Sequence, residues 1–353
     1  MKESNKEKQH FIPRFYLKKF SKNQDEKSIG VYLKDRNKFI SNASIEGQCQ
    51  KSFYYGEDGL IEDILMKIET PVANLIKKTC EEQAIPKKPI EDYFRVLHFA
   101  INLHMRNPTQ ANVLLGFDQG FNEHFSKFDE SPDIKSFIEN KLTEKQSIVF
   151  ALSQSWRIAR ICLDLSCKLI VNQTNIPFII SDNPIIKYNS IAEIFNKIAT
   201  GFTAFGLQIF FPISPSLMIL FFDTNTYQVI ENEKGKIFLI NEIDIQNLNL
   251  LQILNSSQSL YFNETITESY ILSLIEKSKS YTKPNEIIPM EFGSYFFQSV
   301  SDLRTELQLP FITPYVIDKN IEIVNGNMIL SMRPHAKKMR EFLEKEEAIK
   351  KNK

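Results

Sequence analysis

From Ile198 to Phe222 the chain carries no charged residue, and no other feature restricts its fold as strongly. Such a run is long enough in principle to span a bilayer as a helix. Gly201, Gly206, Gln208 and the break Pro212-Ile213-Ser214-Pro215 argue against one, because proline removes a backbone donor and clashes with the preceding turn. Two apolar runs, Gln208–Phe211 and Leu217–Phe222, flank that break and fit strands buried on both faces. The expectation is therefore a soluble protein with a buried sheet and no membrane partner.

The chain changes character near Cys167. Before it, a Pro13-started helix over Arg14–Phe20 and a hairpin (Ile29–Leu33 returning at Phe39-Ile40) lead into helical periodicity over 60–79, 90–106, 110–128 and 133–165. Pro71 predicts a kink or a restart capped by Thr70 in the first of these. After it, Cys167–Val171 and Phe178–Ile180 join the two uncharged runs as strands rich in branched and aromatic residues. Tyr227–Ile230 is expected to pair with Ile237–Ile240 across a turn, before helices at 241–256 and 264–278. The fold class expected is α+β, a mainly helical N-terminal half with a small hairpin followed by a mixed or antiparallel sheet with flanking helices. With no Pro/Gly/Ser linker, residues 1–330 read as one composite domain (9–165 hairpin and helices, 166–330 sheet and helices). Residues 331–353 read as a charged, exposed helix or tail.

Composition adds boundaries rather than a function. A chain of 353 residues can bury a core without staples. Cys49, Cys80, Cys162 and Cys167 show neither CxxC pairing nor zinc-finger spacing, and no secretory segment opens the chain, so a reducing, cytoplasmic setting is expected. Net charge is zero, but residues 1–22 hold seven Lys/Arg against two Glu and residues 337–353 hold seven against four. A nucleic acid or nucleotide partner would meet the ends of the chain, where the plainer reading is solvated termini. The P-loop, GxGxxG, GxSxG and HExxH patterns are all absent, which lowers the odds for NTPases, dinucleotide enzymes, α/β-hydrolases and zincins.

Four constellations remain. His10 precedes Pro13-Arg14, so an imidazole at a helix start beside a guanidinium could bind an anion or move a proton; a capping histidine is the plainer reading. Glu62 and Glu69, two helical turns apart, border an apolar stripe and could turn a carboxylate inward toward an arginine or a hard cation; simple exposure competes. Arg95, His98 or Phe99, Asn102 and Arg106 share one helical face, with His104 pointing elsewhere, and could clamp a carboxylate or phosphate, while Arg106 also suits a helix C-terminus. Ser181-Asp182-Asn183-Pro184 follows an apolar strand and either presents an acid and an amide at a sheet edge or closes an Asx turn.

In sequence order, HFIPRFYLKKF (10–20), IEDILMKIE (61–69), Arg106-Asn107-Pro108, FIISDNPII (178–186) and FPISP (211–215) resemble the family called domain of unknown function 4238, found in bacteria and fungi. The resemblance covers roughly residues 9–260. It implies no activity, but its recurring polar positions fall on His10, Arg14, Glu69, Arg106, Asp182 and Asn183. Asn107 stands where the family often has a small or hydroxylated residue. Two functions are expected in competition. One is a hydrolase of phosphate-containing substrates, a nuclease or nucleotide phosphodiesterase suited to bacterial defence or a toxin role. There His10 would be acid/base, Arg14 and Arg106 would stabilise charge, and Glu69 and Asp182 would either ligate a divalent cation such as Mg or orient the histidine, with Asn183 orienting. The other is a non-catalytic binding or regulatory protein in which these residues form a buried ion-pair network.

Overall fold

The computed structural model describes residues 7–86, 91–125, 141–195, 199–282, 284–292, 295–301, 303–315 and 332–351. Strand β1 (Lys8–His10) leads into a short helix α1 (Arg14–Leu17), a hairpin of β2 (Ser28–Leu33) and β3 (Lys38–Ser44), and β4 (Gln50–Ser52). Helices α2 (Leu60–Glu82), α3 (Glu91–Met105), α4 (Pro108–Phe125) and α5 (Glu144–Ile161) follow. The second half runs β5 (Ser166–Asn172), β6 (Ile180–Ser181), β7 (Ile186–Tyr188), α6 (Ser190–Ile194), β8 (Gln208–Ser214), β9 (Leu217–Phe222), β10 (Tyr227–Val229) and β11 (Lys236–Leu239). It closes with α7 (Glu242–Asn255), β12 (Ser259–Phe262), α8 (Glu268–Ser278), β13 (Ile287–Phe292), β14 (Tyr295–Val300), β15 (Ile312–Pro314) and α9 (Pro334–Lys351). The architecture is α+β.

The uncharged run supplies the middle of a five-stranded sheet of order β11-β5-β9-β8-β7, in which only β11 runs parallel to its neighbour. Successive side chains of a strand point to opposite faces. Ile209, Phe211, Ile219 and Phe221 accordingly join Val72 and Ile76 of α2 and Leu97 and Phe99 of α3. Phe210, Met218, Leu220 and Phe222 join Ile245, Leu248 and Leu251 of α7 on the other face. With both faces covered by helices, a charge anywhere in β8 or β9 would be stranded, which explains its absence. No helix among the described residues is long and apolar enough to cross a membrane.

A four-stranded antiparallel sheet, β3-β2-β12-β6, ties the N-terminal hairpin to the second half. Gly30 makes that join possible: it lies opposite Phe262, and a Cβ there would run into the phenyl ring.

Several expectations need correction. β10 and β11 do not pair. The turn between them forms, with Asn232 N–H donating to the Lys236 carbonyl at 3.1 Å. The arms then separate, β10 to β15 and β11 to the open edge of β5. That edge buries Ile237 and Leu239 beside Ile170, a gain an isolated hairpin lacks. Of the two outcomes expected at Pro71, the restart does not occur: α2 is one helix through it, since one lost hydrogen bond is outweighed by the buried stripe Leu65, Val72 and Ile76. The long helix expected from 133 begins at Glu144, where Thr143 and Gln146 form a capping box; 133–140 lie outside the described residues. The C-terminal helix is not a free tail: Ala336 and Leu343 are buried against Ile161, and Arg157–Glu347 and Arg160–Glu346 pair α5 with α9.

Candidate functional site

The N-terminal motif is held by its neighbours before its helix begins. β1 pairs with β4, Gln9 Nε2 donates to the Gly56 carbonyl at 2.6 Å, and Phe11 N–H donates to the Cys49 carbonyl at 2.9 Å. Pro13 is extended (φ −61°, ψ 141°) and caps α1 rather than opening it; a 3-10 turn continues over Lys18–Phe20. A four-residue helix has too few aligned peptides to act on His10 through its dipole. Phe11, Tyr16, Leu17 and Phe20 are core residues, and Tyr16 Oη donates to the Pro212 carbonyl at 2.6 Å, fastening the motif to the central sheet.

His10 itself is half-buried. Its Nε2 lies 3.2 Å from the Glu46 carbonyl, which can only accept, so Nε2 carries the proton and Nδ1 the lone pair. Burial holds the imidazole below its ordinary pKa; Arg14 and Arg106 push the same way, against the Glu46 carbonyl and Glu69. The ring is neutral at pH 7. These neighbours locate the first group: His10, an exposed Arg14, Glu69 of α2 and Arg106 after α3.

Arg106 is wholly buried. Its Nη1 donates to Glu69 Oε1 at 2.6 Å, while Nε and Nη2 make no hydrogen bond of good geometry. The Tyr55 hydroxyl lies close enough for the guanidinium to oppose the rise that burial gives its pKa. The Glu69 side chain is 24 % exposed, so the pair leads from the interior toward solvent. Tyr54 Oη donates to the Arg106 carbonyl and Tyr55 Oη to the His10 carbonyl, both at 3.2 Å. The two phenols brace the cluster, and burial pushes both pKa values up, so they stay protonated.

Asp182 and Asn183 belong to a different arrangement. Asp182 Oδ1 accepts from Ser257 N–H at 2.8 Å and Oδ2 from the N–H groups of Gln258 and Ser259 at 2.6 and 3.1 Å. Burial raises its pKa, opposed by those three amides and by Lys34. Asn183 and Asn255 exchange side-chain to carbonyl bonds at 3.3 and 2.6 Å. Lys34, which sequence reasoning missed, reaches the end of α7 through Ser256 Oγ at 2.8 Å and the Ser256 carbonyl at 3.1 Å. Together they buckle β6 to the turn after α7. The corner residue Asn107 links the two groups, donating to the Asp182 carbonyl and accepting from Thr109 N–H at 2.9 Å.

The six expected residues therefore fall into two sets, and the carboxylates of Glu69 and Asp182 are engaged by an arginine and by backbone amides rather than turned together as cation ligands. Among the described residues no group of three or more His, Cys, Asp or Glu is placed to hold a metal ion. The α3 clamp does not assemble either. Arg95 pairs with Glu91 at 2.6 Å, whereas His98 stacks on Phe94 and meets Trp156 edge-on. Arg106, at the very end, turns to α2. His104 lies off that face, as expected, but it borders a cleft that its place in the sequence does not signal. The cysteines are all free, and Cys49 donates to Tyr261 Oη with its thiol pKa raised by burial.

The family model described as "Protein of unknown function (DUF4238)" matches residues 8–265, and the chain belongs to that family. No curated protein and no solved structure matches it.

Proposed function

We propose that this member of the DUF4238 family is a hydrolase of phosphate-containing substrates, with a nucleic acid or nucleotide as the substrate class, working at the cluster of His10, Arg14, Glu69 and Arg106. One observation carries the reading: Arg106 is fully buried yet Nε and Nη2 make no well-formed hydrogen bond, with only the Tyr55 hydroxyl near the guanidinium, beside a neutral histidine. Those two nitrogens form the fork that fits two oxygens of a phosphate, and buried donors are rarely left without a partner. Glu69 holds the fork in place through Nη1, and Arg14 adds positive charge from the solvent side. His10, with its lone pair on Nδ1, takes a proton from the attacking water as the new P–O bond forms and the bond to the leaving oxygen breaks. Asp182 and Asn183 keep the corner after Arg106 in position and touch no substrate.

The test is turnover of RNA, single-stranded DNA and bis(p-nitrophenyl) phosphate by the purified chain, its His10→Asn variant and its Arg14→Ala variant. Loss of turnover in both, with unchanged melting, is the expected result. Equal turnover in all three sinks the reading. A second reading is favoured by the 2.6 Å Arg106–Glu69 pair, which also suits a non-catalytic protein with a structural ion pair. In that case no substrate is turned over, and Glu69→Gln costs stability, roughly 3–5 kcal/mol for a broken buried pair.

A further inference from the structure

The corner after α3 has a second side. His104, two residues before Arg106, is 2 % exposed, and neither of its ring nitrogens has a hydrogen-bond partner. It borders a cleft of about 310 Å³ to which Gln110 of α4, Lys187 of β7, Asn255 of α7 and Ser301 also contribute. That volume suits a small molecule. Gln110 Nε2 is likewise buried and unpartnered. The Phe202 ring sets the geometry, meeting His104 edge-on at 5.5 Å between centroids while Lys187 Nζ stands 5.0 Å from its centre. Burial, then Lys187, holds the His104 pKa well below its ordinary value, so the ring is neutral and offers one N–H donor and one lone pair.

We propose that this cleft binds a small oxyanion that also carries a hydroxyl group, its charged oxygens meeting Lys187 and Gln110 Nε2 and its hydroxyl donating to the bare nitrogen of His104. Three buried donor or acceptor sites without partners, two on the His104 ring and one on Gln110, at a cleft that Lys187 also lines, call for a ligand with this alternation of acceptor and donor. An apolar occupant would leave them all unsatisfied. The site is separate from the His10–Arg106 cluster, because His104 and Arg106 leave the α3 corner on different sides, and it does not depend on the hydrolase reading.

The ring resonances of His104, in protein labelled with ¹⁵N in its histidines and assigned with His104→Asn, provide the readout. Glycerol phosphate, malate and uncharged glycerol are titrated in turn. A saturable shift with at least one anion and none with glycerol is expected; the stronger of the two anions tells phosphate from carboxylate. Lys187→Gln and Gln110→Glu, checked for folding by circular dichroism, each weaken binding tenfold or more, and Arg14→Ala leaves it unchanged. Should one cleft variant fail to fold, the other makes the comparison. No saturable shift with either anion, equal binding of glycerol, or full affinity in the folded cleft variants overturns the proposal.

Discussion

Arg106 and Asp182 look alike in the sequence, each a charged residue closing a regular element, yet the fold uses them oppositely. The Asp182 carboxylate accepts three backbone N–H bonds and has little capacity left. The Arg106 guanidinium spends one nitrogen on Glu69, while the other two lie inside the protein near the Tyr55 hydroxyl without a well-formed hydrogen bond. A buried charge whose hydrogen bonds are complete is a fastener, and one left incomplete is open to a ligand. Exposure would not separate them, since both are buried.

The contrast can be broken in a graded way. The largest effect is expected from Asp182→Ala, which strands the three amides of 257–259. Urea unfolding should show a loss of roughly 3–5 kcal/mol, the scale of several unsatisfied buried donors, while activity per folded molecule persists. A smaller loss would mean that water replaces the carboxylate and that the buckle is weaker than its geometry suggests.

Acid comes next. His98, stacked on Phe94, is brought by burial down to about 4, below its unfolded value of about 6.5. A depressed folded pKa contributes stability that is complete above the unfolded value and disappears as pH falls through the folded one. Stability should thus fall by about 3 kcal/mol between pH 6.5 and 4 on this account, since each tenfold drop in proton affinity on folding is worth roughly 1.4 kcal/mol. His98→Asn should flatten that limb, and an equally steep fall in the variant would assign it elsewhere.

His10→Asn sharpens the other arm. Turnover should fall by at least ~100-fold, the lower range for a general base, with unfolding midpoints unchanged. Because burial and the two arginines hold His10 below its ordinary pKa, kcat/KM should have an acid limb below about pH 6.5 that the variant lacks. A limb above that value would point to a different base. Smallest of all is Arg95→Ala. Its exposed pairing with Glu91 predicts no measurable shift in melting or turnover, so any clear effect would mean that the α3 face is more than a solvated surface.

Much of the fold was legible because its signals are local. The helical period of 60–79 and 90–106, the hairpin at 28–44 and the uncharged pair of strands were each readable from their own residues. The partner of β10 was not: Tyr227–Val229 meets Ile312–Pro314 across more than eighty residues, and no pattern within either strand names the other. The candidate residues divide the same way. The sequence singled out His10, Arg14, Glu69 and Arg106 as candidates, but that Asp182 turns toward 257–259, and that Lys34 seals the end of α7, depends on side-chain direction at a crossing of distant segments.

What the sequence by itself determined is the uncharged run and its consequence. Within the uncharged run, Gln208–Phe211 and Leu217–Phe222 flank a proline break and read as strands buried on both sides, because helices packed on each face leave no room for a charge. What only the tertiary structure decided is how each polar residue spends its hydrogen bonds. Arg106 and His104 leave one corner for different destinations, an ion pair and a cleft, because α2 lies on one side of α3 and β7 with the first turns of α4 on the other. That choice is set by packing between segments, which no single stretch of the chain encodes.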